Sequence, residues 1–142
     1  MKNILNKSLC VVMIILMSAI CFSCKKEEKT GMWSDALYTE NTTFGNGAKT
    51  FRVEVKANDR SVTFTINTDK GNLEEALVEH KLVDGEKGPY GMYIKKVNGI
   101  TADYDIDQSY WALSENGKPS ATGASGAEIK GGEHFEFVRT KK

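Results

Sequence analysis

The chain has 142 residues, and its 19 basic and 19 acidic side chains give a formal net charge of zero. A balanced charge does not suggest a nucleic-acid partner, and this length is enough for a short leader and one domain but not for two. All three cysteines lie within the first 24 residues, so the rest of the chain has no thiol for a disulfide, a zinc site or a nucleophile.

The N-terminus has the layout of a secretory signal. Lys2 and Lys7 come first, and an apolar run follows over residues 9–22. The run is shorter than the roughly 20 residues that a helix needs to cross a bilayer. Basic residues before a short apolar run are typical of export signals, so we expect the protein to be exported.

The end of this run predicts lipidation. Ser23 places a small residue directly before Cys24, which fits lipoprotein processing, in which the cysteine becomes the acylated N-terminus. Cys21 is the competing cysteine, but Ile20 before it is a poor cleavage residue. The alternative is a secreted protein cut by an ordinary signal peptidase. We therefore expect a lipoprotein signal peptide over residues 1–23 and acylation, for example by palmitate, at Cys24.

The segment after the leader is polar at first. Residues 25–31, KKEEKTG, have mixed charge and no apolar period, as expected of a tether that holds a domain away from a lipid surface. Trp33 and Tyr38 then stand among Asn, Thr and Gly, and they either dock on the domain or lie in a mobile arm. We expect a lipidated cysteine and flexible tether over residues 24–47 and one domain over 48–142.

Two alternating segments open the domain. Apolar side chains occupy every second position over residues 51–55 and again over 62–66, which is the pattern of half-buried strands. The polar Asn58-Asp59 lies between them and predicts a turn. A short polar connection joins antiparallel neighbours, so the two segments should form a hairpin.

A helix is predicted next. Asn72 can cap its N-terminus, and Glu75 follows three residues later, as in a capping box. Apolar side chains recur at helical spacing from Leu73 to Leu77, so one face of a helix over about residues 72–81 should pack on the sheet.

A loop and a second hairpin should follow the helix. Residues 84–90, DGEKGPY, contain two glycines and a proline and are predicted to be a loop. Met92 and Ile94 then alternate with polar neighbours, as in a strand. Asn98-Gly99 is a strong hairpin signal, so another strand pair is expected here.

The C-terminal segment predicts two strands, over residues 110–114 and 134–138. Strand side chains alternate between two faces, which gives these strands a common apolar face. With the earlier elements, this face predicts one core of ten residues: Phe51, Val53, Phe64, Ile66, Leu73, Leu77, Trp111, Leu113, Phe135 and Phe137.

The order of elements predicts an α+β domain with one helix across one sheet face. The run YWALSENGKPSATGASGAEIKGGEHFEFV over residues 110–138, with GMYI at 91–94 and VNGI at 97–100, resembles the transcobalamin-like C-terminal domain family, found in bacterial lipoproteins. The resemblance covers nearly everything after residue 48. It implies a beta-grasp-like mixed sheet with one helix packed across one face.

The resemblance also implies a ligand. Vertebrate members of that family hold cobalamin between this domain and a larger helical one, so cobalamin or another corrinoid is the leading candidate. The chain is too short to include the helical domain. The affinity of this chain for a corrinoid would therefore be weak or would need a partner chain. We expect that the domain requires no cofactor.

Tyrosines supply candidate contacts for such a ligand. Tyr93 and Tyr110 alternate away from Ile94 and Trp111, which would place both on the sheet face opposite the core. Together with Tyr104 they would form a flat platform for a ligand ring. Trp111 is the neighbouring aromatic contact, although its position beside Leu113 favours a core anchor.

An acidic segment offers a candidate metal site. Asp103, Asp105 and Asp107 alternate as in the first half of a calcium loop. Gln108 stands where such a loop needs Gly, and Ser114 stands where it needs a bidentate Glu. A solvated acidic loop is the alternative explanation.

Catalytic chemistry has little support. His80 and His134 are the only side chains expected to titrate near neutral pH, and neither lies in a recognisable catalytic motif. His134 shares a strand face with Glu136, which would pair with it. We therefore expect a binding domain rather than an enzyme.

The sequence thus predicts a lipid-anchored bacterial protein on the extracytoplasmic face of a cell membrane. Its domain would bind a soluble ligand, with a surface or transporter protein as a candidate partner and no nucleic acid. The alternative is a structural or adhesive domain that contacts protein or glycan through a sheet edge.

Overall fold

The computed structural model describes residues 31–142, so the signal peptide, Cys24 and the first part of the tether lie outside the described residues. The elements in chain order are a 3₁₀ helix at Gly31–Asp35, β1 Thr42–Phe44, β2 Lys49–Ala57, β3 Arg60–Thr68, α1 Leu73–Glu79, β4 Val83–Gly88, β5 Gly91–Val97, β6 Ile100–Thr101, α2 Tyr104–Asp107, β7 Ser109–Glu115, β8 Lys118–Pro119, α3 Gly123–Gly126 and β9 His134–Lys141. None of the helices in this part of the chain is long and apolar enough to cross a membrane.

The strands form one large and one small sheet. The six-stranded sheet has the order β1-β3-β2-β9-β7-β8, and the three-stranded sheet has the order β4-β5-β6. In the larger sheet β2 runs parallel to β9, whereas the β2–β3 and β7–β9 pairs are antiparallel. The predicted α+β fold with a mixed, grasp-like sheet is confirmed.

One face of the six-stranded sheet carries the core. Most of the alternate residues of β2, β3 and β9 on this face are buried, and α1 buries Leu73, Ala76 and Leu77 in the same cluster. Nine of the ten predicted core residues are buried, and the tenth, Leu113, is half-buried against them. The core follows from the period-two pattern, which assigns each strand residue to one face.

The helix α1 starts where its cap predicts. The Asn72 side chain accepts a hydrogen bond from the Glu75 backbone N–H at 2.9 Å, which satisfies one free donor of the first turn. The helix ends at Glu79, two residues before the predicted end. Lys81 has a φ of 56°, which is outside the helical region.

The predicted loop over residues 84–90 is wrong, because most of it is the strand β4. This strand pairs with β5 along its whole length, with a register shift between Asp84 and Gly85. A Cβ atom at Gly85 would lie 2.0 Å from the Tyr93 carbonyl oxygen, so the glycine allows two backbones to approach closely. Glycine therefore serves the strand pairing here and does not mark a loop.

The segment that the sequence assigned to a tether packs on the domain from residue 31 onwards. Trp33 is buried, and its Nε1–H donates to the Ala57 carbonyl oxygen at 3.0 Å. Tyr38 packs edge to face against Phe44 and Phe64, and β1 pairs with β3. Of the two alternatives for these aromatics, docking on the domain is the one observed, and the folded unit begins before residue 48.

Candidate functional site on the open face of the central sheet

The face of the six-stranded sheet opposite the core is accessible to solvent. We call it the open face, and it carries the even-numbered residues of β2, β9 and β7 among others. Within the described chain, none of these even-numbered side chains is fully buried. Because β2 and β9 are central and adjacent, polar side chains from distant parts of the sequence meet here.

Three of these side chains form a histidine–carboxylate cluster, which consists of Glu54, His134 and Glu136. Glu54 on β2 lies directly opposite Glu136 on β9, and His134 precedes Glu136 by two positions on the same face. The His134 Nε2 and Glu54 Oε2 atoms are 3.4 Å apart. Among residues 31–142, this is the one group of three His, Cys, Asp or Glu whose ligand atoms all lie within 4.8 Å of one another.

Lys56 lies beside this cluster. Its Nζ atom donates to Glu136 Oε2 at 3.0 Å and lies 3.8 Å from Glu54 Oε1. The hydrogen bond to Glu136 raises the pKa of Lys56 above its ordinary value; desolvation acts in the opposite sense, and the negative charge of Glu54 adds to the increase. The lysine thus remains a cation and offsets part of the repulsion between the two carboxylates.

The predicted tyrosines belong to three different elements of the fold. Tyr93 belongs to β5 of the smaller sheet, Tyr104 to α2, and Tyr110 to β7 of the larger sheet. The indole of Trp111 points towards β5, since its Nε1–H donates to the Lys95 carbonyl oxygen at 3.3 Å. Tyr110 alternates with Trp111 and therefore projects from the other side of β7, onto the open face.

The accessibility of these rings differs from that of Trp111. Tyr93, Tyr104 and Tyr110 are 49%, 41% and 39% exposed, so each is available to a ligand at its own position. Trp111 is 9% exposed and belongs to the core cluster, as its position beside Leu113 predicts. Only Tyr110 shares a sheet face with the histidine–carboxylate cluster.

Two of the three aspartates of the acidic segment use their carboxylates within the fold. Asp103 caps α2 by accepting from the Asp105 backbone N–H at 3.0 Å, and it lies 3.5 Å from the Lys95 ammonium. Asp107 accepts hydrogen bonds from Ser109 and, at 2.8 Å, from Arg139. Their ligand atoms do not form a group within 4.8 Å in the described region.

The contacts of Asp107 change its ionisation. Hydrogen bonds from the Ser109 side chain and then from Arg139 lower the pKa of Asp107 to about 2. The carboxylate is therefore charged at every physiological pH, and the Arg139 guanidinium is its counter-ion. This arrangement joins α2 to β9.

The second histidine has a structural environment. His80 caps the C-terminus of α1, and its ring lies 5.3 Å from that of Phe44. Its nearest carboxylate oxygen, on the adjacent Glu79, is 3.9 Å from Nε2. The structure therefore places one histidine at the end of α1 against Phe44 and the other on the open face beside two carboxylates.

Comparison with known proteins identifies related domains. Residues 71–138 match the family described as "Domain of unknown function (DUF4430)". No curated protein sequence matches the chain significantly. A crystal structure of a "putative metal binding protein" from Ruminococcus gnavus is 33% identical, covers 66% of this chain and 98% of its own chain, and superposes with a TM-score of 0.62.

A second solved structure shares the fold at greater distance. The crystal structure of haptocorrin in complex with Cbi is 23% identical and has a TM-score of 0.50. It matches 69% of this chain but only 26% of its own length, so the similarity is to one part of a much longer protein. At this level of identity the match concerns the fold alone, and it agrees with the resemblance found in the sequence.

Proposed function

This chain belongs to the family of domains described as DUF4430, and we propose that it is a small, non-catalytic ligand-binding domain of an exported, lipid-anchored protein. The observation that carries this proposal is the open face. It presents Glu54, Lys56, His134, Glu136 and Tyr110 from three adjacent strands of a sheet whose other face carries the core. Rigid strands that hold such groups in solvent are suited to binding.

Anchoring is the first prediction. Because the apolar leader ends at Ser23-Cys24, we expect the mature protein to begin with an acylated Cys24 and to partition with membranes. Intact-mass measurement of the mature protein would detect the lipid. Replacing Cys24 by Ala should release the protein from membranes, whereas replacing Cys21 by Ala should leave it anchored. An unmodified N-terminus, or equal membrane binding by both variants, would contradict the anchor.

A corrinoid is the first proposed ligand class. Support comes from the shared fold with haptocorrin, whose structure is described as a complex with Cbi, and from the resemblance to transcobalamin-like domains. The chain matches only 26% of haptocorrin, so a further domain or a second chain would have to cover the other side of the ligand. A surface or transporter protein at the same membrane is the expected partner.

Two tyrosine variants test where such a ligand binds. If it lies on the open face, replacing Tyr110 by Ala should weaken binding about tenfold, because the ring contributes apolar contact and the hydroxyl a hydrogen bond. Replacing Tyr93 by Ala is the matched control and should leave affinity unchanged, since this ring lies on the smaller sheet. Calorimetric titration of cobalamin and cobinamide measures both effects.

The outcomes of this titration are distinct. No heat with either corrinoid would exclude this ligand class for the isolated domain. Binding that depends on Tyr93 and not on Tyr110 would move the ligand to the three-stranded sheet. Replacing Trp111 by Ala should lower stability first and affinity only as a consequence, because the indole is part of the core.

A metal ion is the second proposed ligand class. The relative from Ruminococcus gnavus is described as a "putative metal binding protein", and nearly all of that chain is matched by this one. The specific observation in favour is the histidine–carboxylate cluster, since imidazole and carboxylate groups are ordinary metal ligands. A panel of divalent ions titrated into the mature protein tests this class independently of the corrinoid.

A further inference from the structure

We propose that Glu54, His134 and Glu136 bind one divalent first-row transition-metal ion, with zinc as the representative probe, and that Lys56 leaves the site when the ion enters. The inference rests on the second ligand class above and adds the location, the kind of metal and the competing cation. It concerns the open face, where β2 and β9 run side by side.

The spacing of the ligand atoms fits one ion. Zinc binds nitrogen and oxygen at about 2.0 to 2.2 Å, so two ligands of a tetrahedral ion lie about 3.3 to 3.5 Å apart. His134 Nε2 and Glu54 Oε2 are 3.4 Å apart, a separation longer than the usual range for an N–H···O hydrogen bond. The Glu136 oxygen completes a group within 4.8 Å, which a small rotamer adjustment would close around an ion.

The sheet itself brings like charges together. Glu54 and Glu136 are directly opposite each other on neighbouring strands, where two carboxylates destabilise the pair. Their side chains are only 21% and 28% exposed, so water screens this repulsion incompletely. The single lysine beside them carries one positive charge against two negative ones, and a divalent ion would neutralise both carboxylates.

The ligand set indicates the class of metal. One imidazole with two carboxylates is a mixed nitrogen and oxygen set, which suits zinc, cobalt, nickel or copper. Calcium takes six to eight oxygen ligands, more than these two carboxylates supply. Three protein ligands on an accessible sheet face leave at least one position of the ion for water or for a second ligand.

Lys56 is the internal competitor for this site. Its ammonium group lies 3.0 Å from a Glu136 carboxylate oxygen and 3.8 Å from a Glu54 carboxylate oxygen. A divalent ion at the same carboxylates would repel it. The lysine side chain is 40% exposed, so it can turn outwards into water without disturbing the core.

The test is calorimetry of the mature protein, purified in mild detergent, with zinc, cobalt, nickel, copper and calcium chlorides. Replacing His134 by Gln or Glu54 by Gln should weaken zinc binding about a hundredfold, since loss of even an outer partner of a metal ligand costs 10- to 100-fold. Replacing Lys56 by Met should tighten it about tenfold by removing a nearby positive charge. His80→Gln is the matched histidine control and should bind zinc normally.

Each result has a defined meaning, provided that thermal melting shows the variants to be folded. Zinc binding that survives both His134→Gln and Glu54→Gln would overturn this site while leaving metal binding by the domain intact. Binding of calcium alone would overturn the proposed class of metal. Failure of every ion to bind would overturn both this inference and the metal-ion ligand class, and unchanged affinity in Lys56→Met would overturn the role of the lysine.

Discussion

Replacing Phe137 by Ala should lower the free energy of unfolding by about 3 to 5 kcal/mol. Phe137 is 1% exposed and lies on β9, between Val55 of β2 and Leu113 of β7. Removing its ring would leave a cavity at the centre of the sheet, where neighbouring strands cannot collapse inwards without losing their hydrogen bonds. Chemical denaturation of the wild type and the variant measures the difference.

Val138 provides the matched control for this prediction. It follows Phe137 on the same strand but lies on the open face and is only half-buried. Replacing Val138 by Ala should therefore lower the free energy of unfolding by about 1 kcal/mol or less. A loss below about 1 kcal/mol in Phe137→Ala, or a larger loss in Val138→Ala, would mean that the two faces of β9 are assigned the wrong way round.

Replacing Trp33 by Ala should lower the free energy of unfolding by roughly 3 to 5 kcal/mol, as for Phe137. Trp33 is 3% exposed, its Nε1–H donates to the Ala57 carbonyl oxygen at 3.0 Å, and the Arg60 guanidinium lies 4.8 Å from its ring centre. The variant loses apolar burial, leaves the Ala57 carbonyl without this donor and removes a cation–π contact. Thermal and chemical denaturation would both report the loss.

The control for Trp33 lies four residues further on. Leu37 is 50% exposed, so replacing it by Ala should change the free energy of unfolding by less than about 1 kcal/mol. If Trp33→Ala were equally mild, the segment before residue 48 would be a tether, as the sequence alone suggests. A large loss would make this segment part of the folding unit.

The core and most elements could be predicted because they depend on local patterns. Alternation over residues 51–55 and 62–66 assigns side chains to one of two sheet faces, and a strand offers no third choice. Asn72 and Glu75 mark the start of α1 through one capping bond. These signals are contained in a few consecutive residues, so they need no knowledge of the rest of the fold.

The features that the sequence did not predict correctly depend on tertiary structure. Residues 84–88 have loop composition, and only their pairing with β5 makes them a strand. Trp33 looks isolated in the sequence, because the surface that buries it comes from β2 and β3.

Only part of the candidate site could be predicted from the sequence, because the rest depends on how distant strands pair. Period-two alternation places His134 and Glu136 on one face of one strand. Their approach to Glu54, 80 positions before His134, follows from the parallel pairing of β2 with β9, which no local pattern encodes. The predicted tyrosine platform assumes that the strands of Tyr93 and Tyr110 belong to one sheet, whereas β5 and β7 belong to two.

The most direct test of the central claim is an amide NMR titration of the isotopically labelled domain with cobinamide and, separately, with zinc. If the open face binds the ligand, the largest chemical-shift changes should fall on the middle of β2 around Glu54 and on the start of β9 around His134 and Glu136. A corrinoid should also shift β7 around Tyr110. Changes confined to β4, β5 and β6, or no change with either ligand, would contradict the claim that this face is the binding surface.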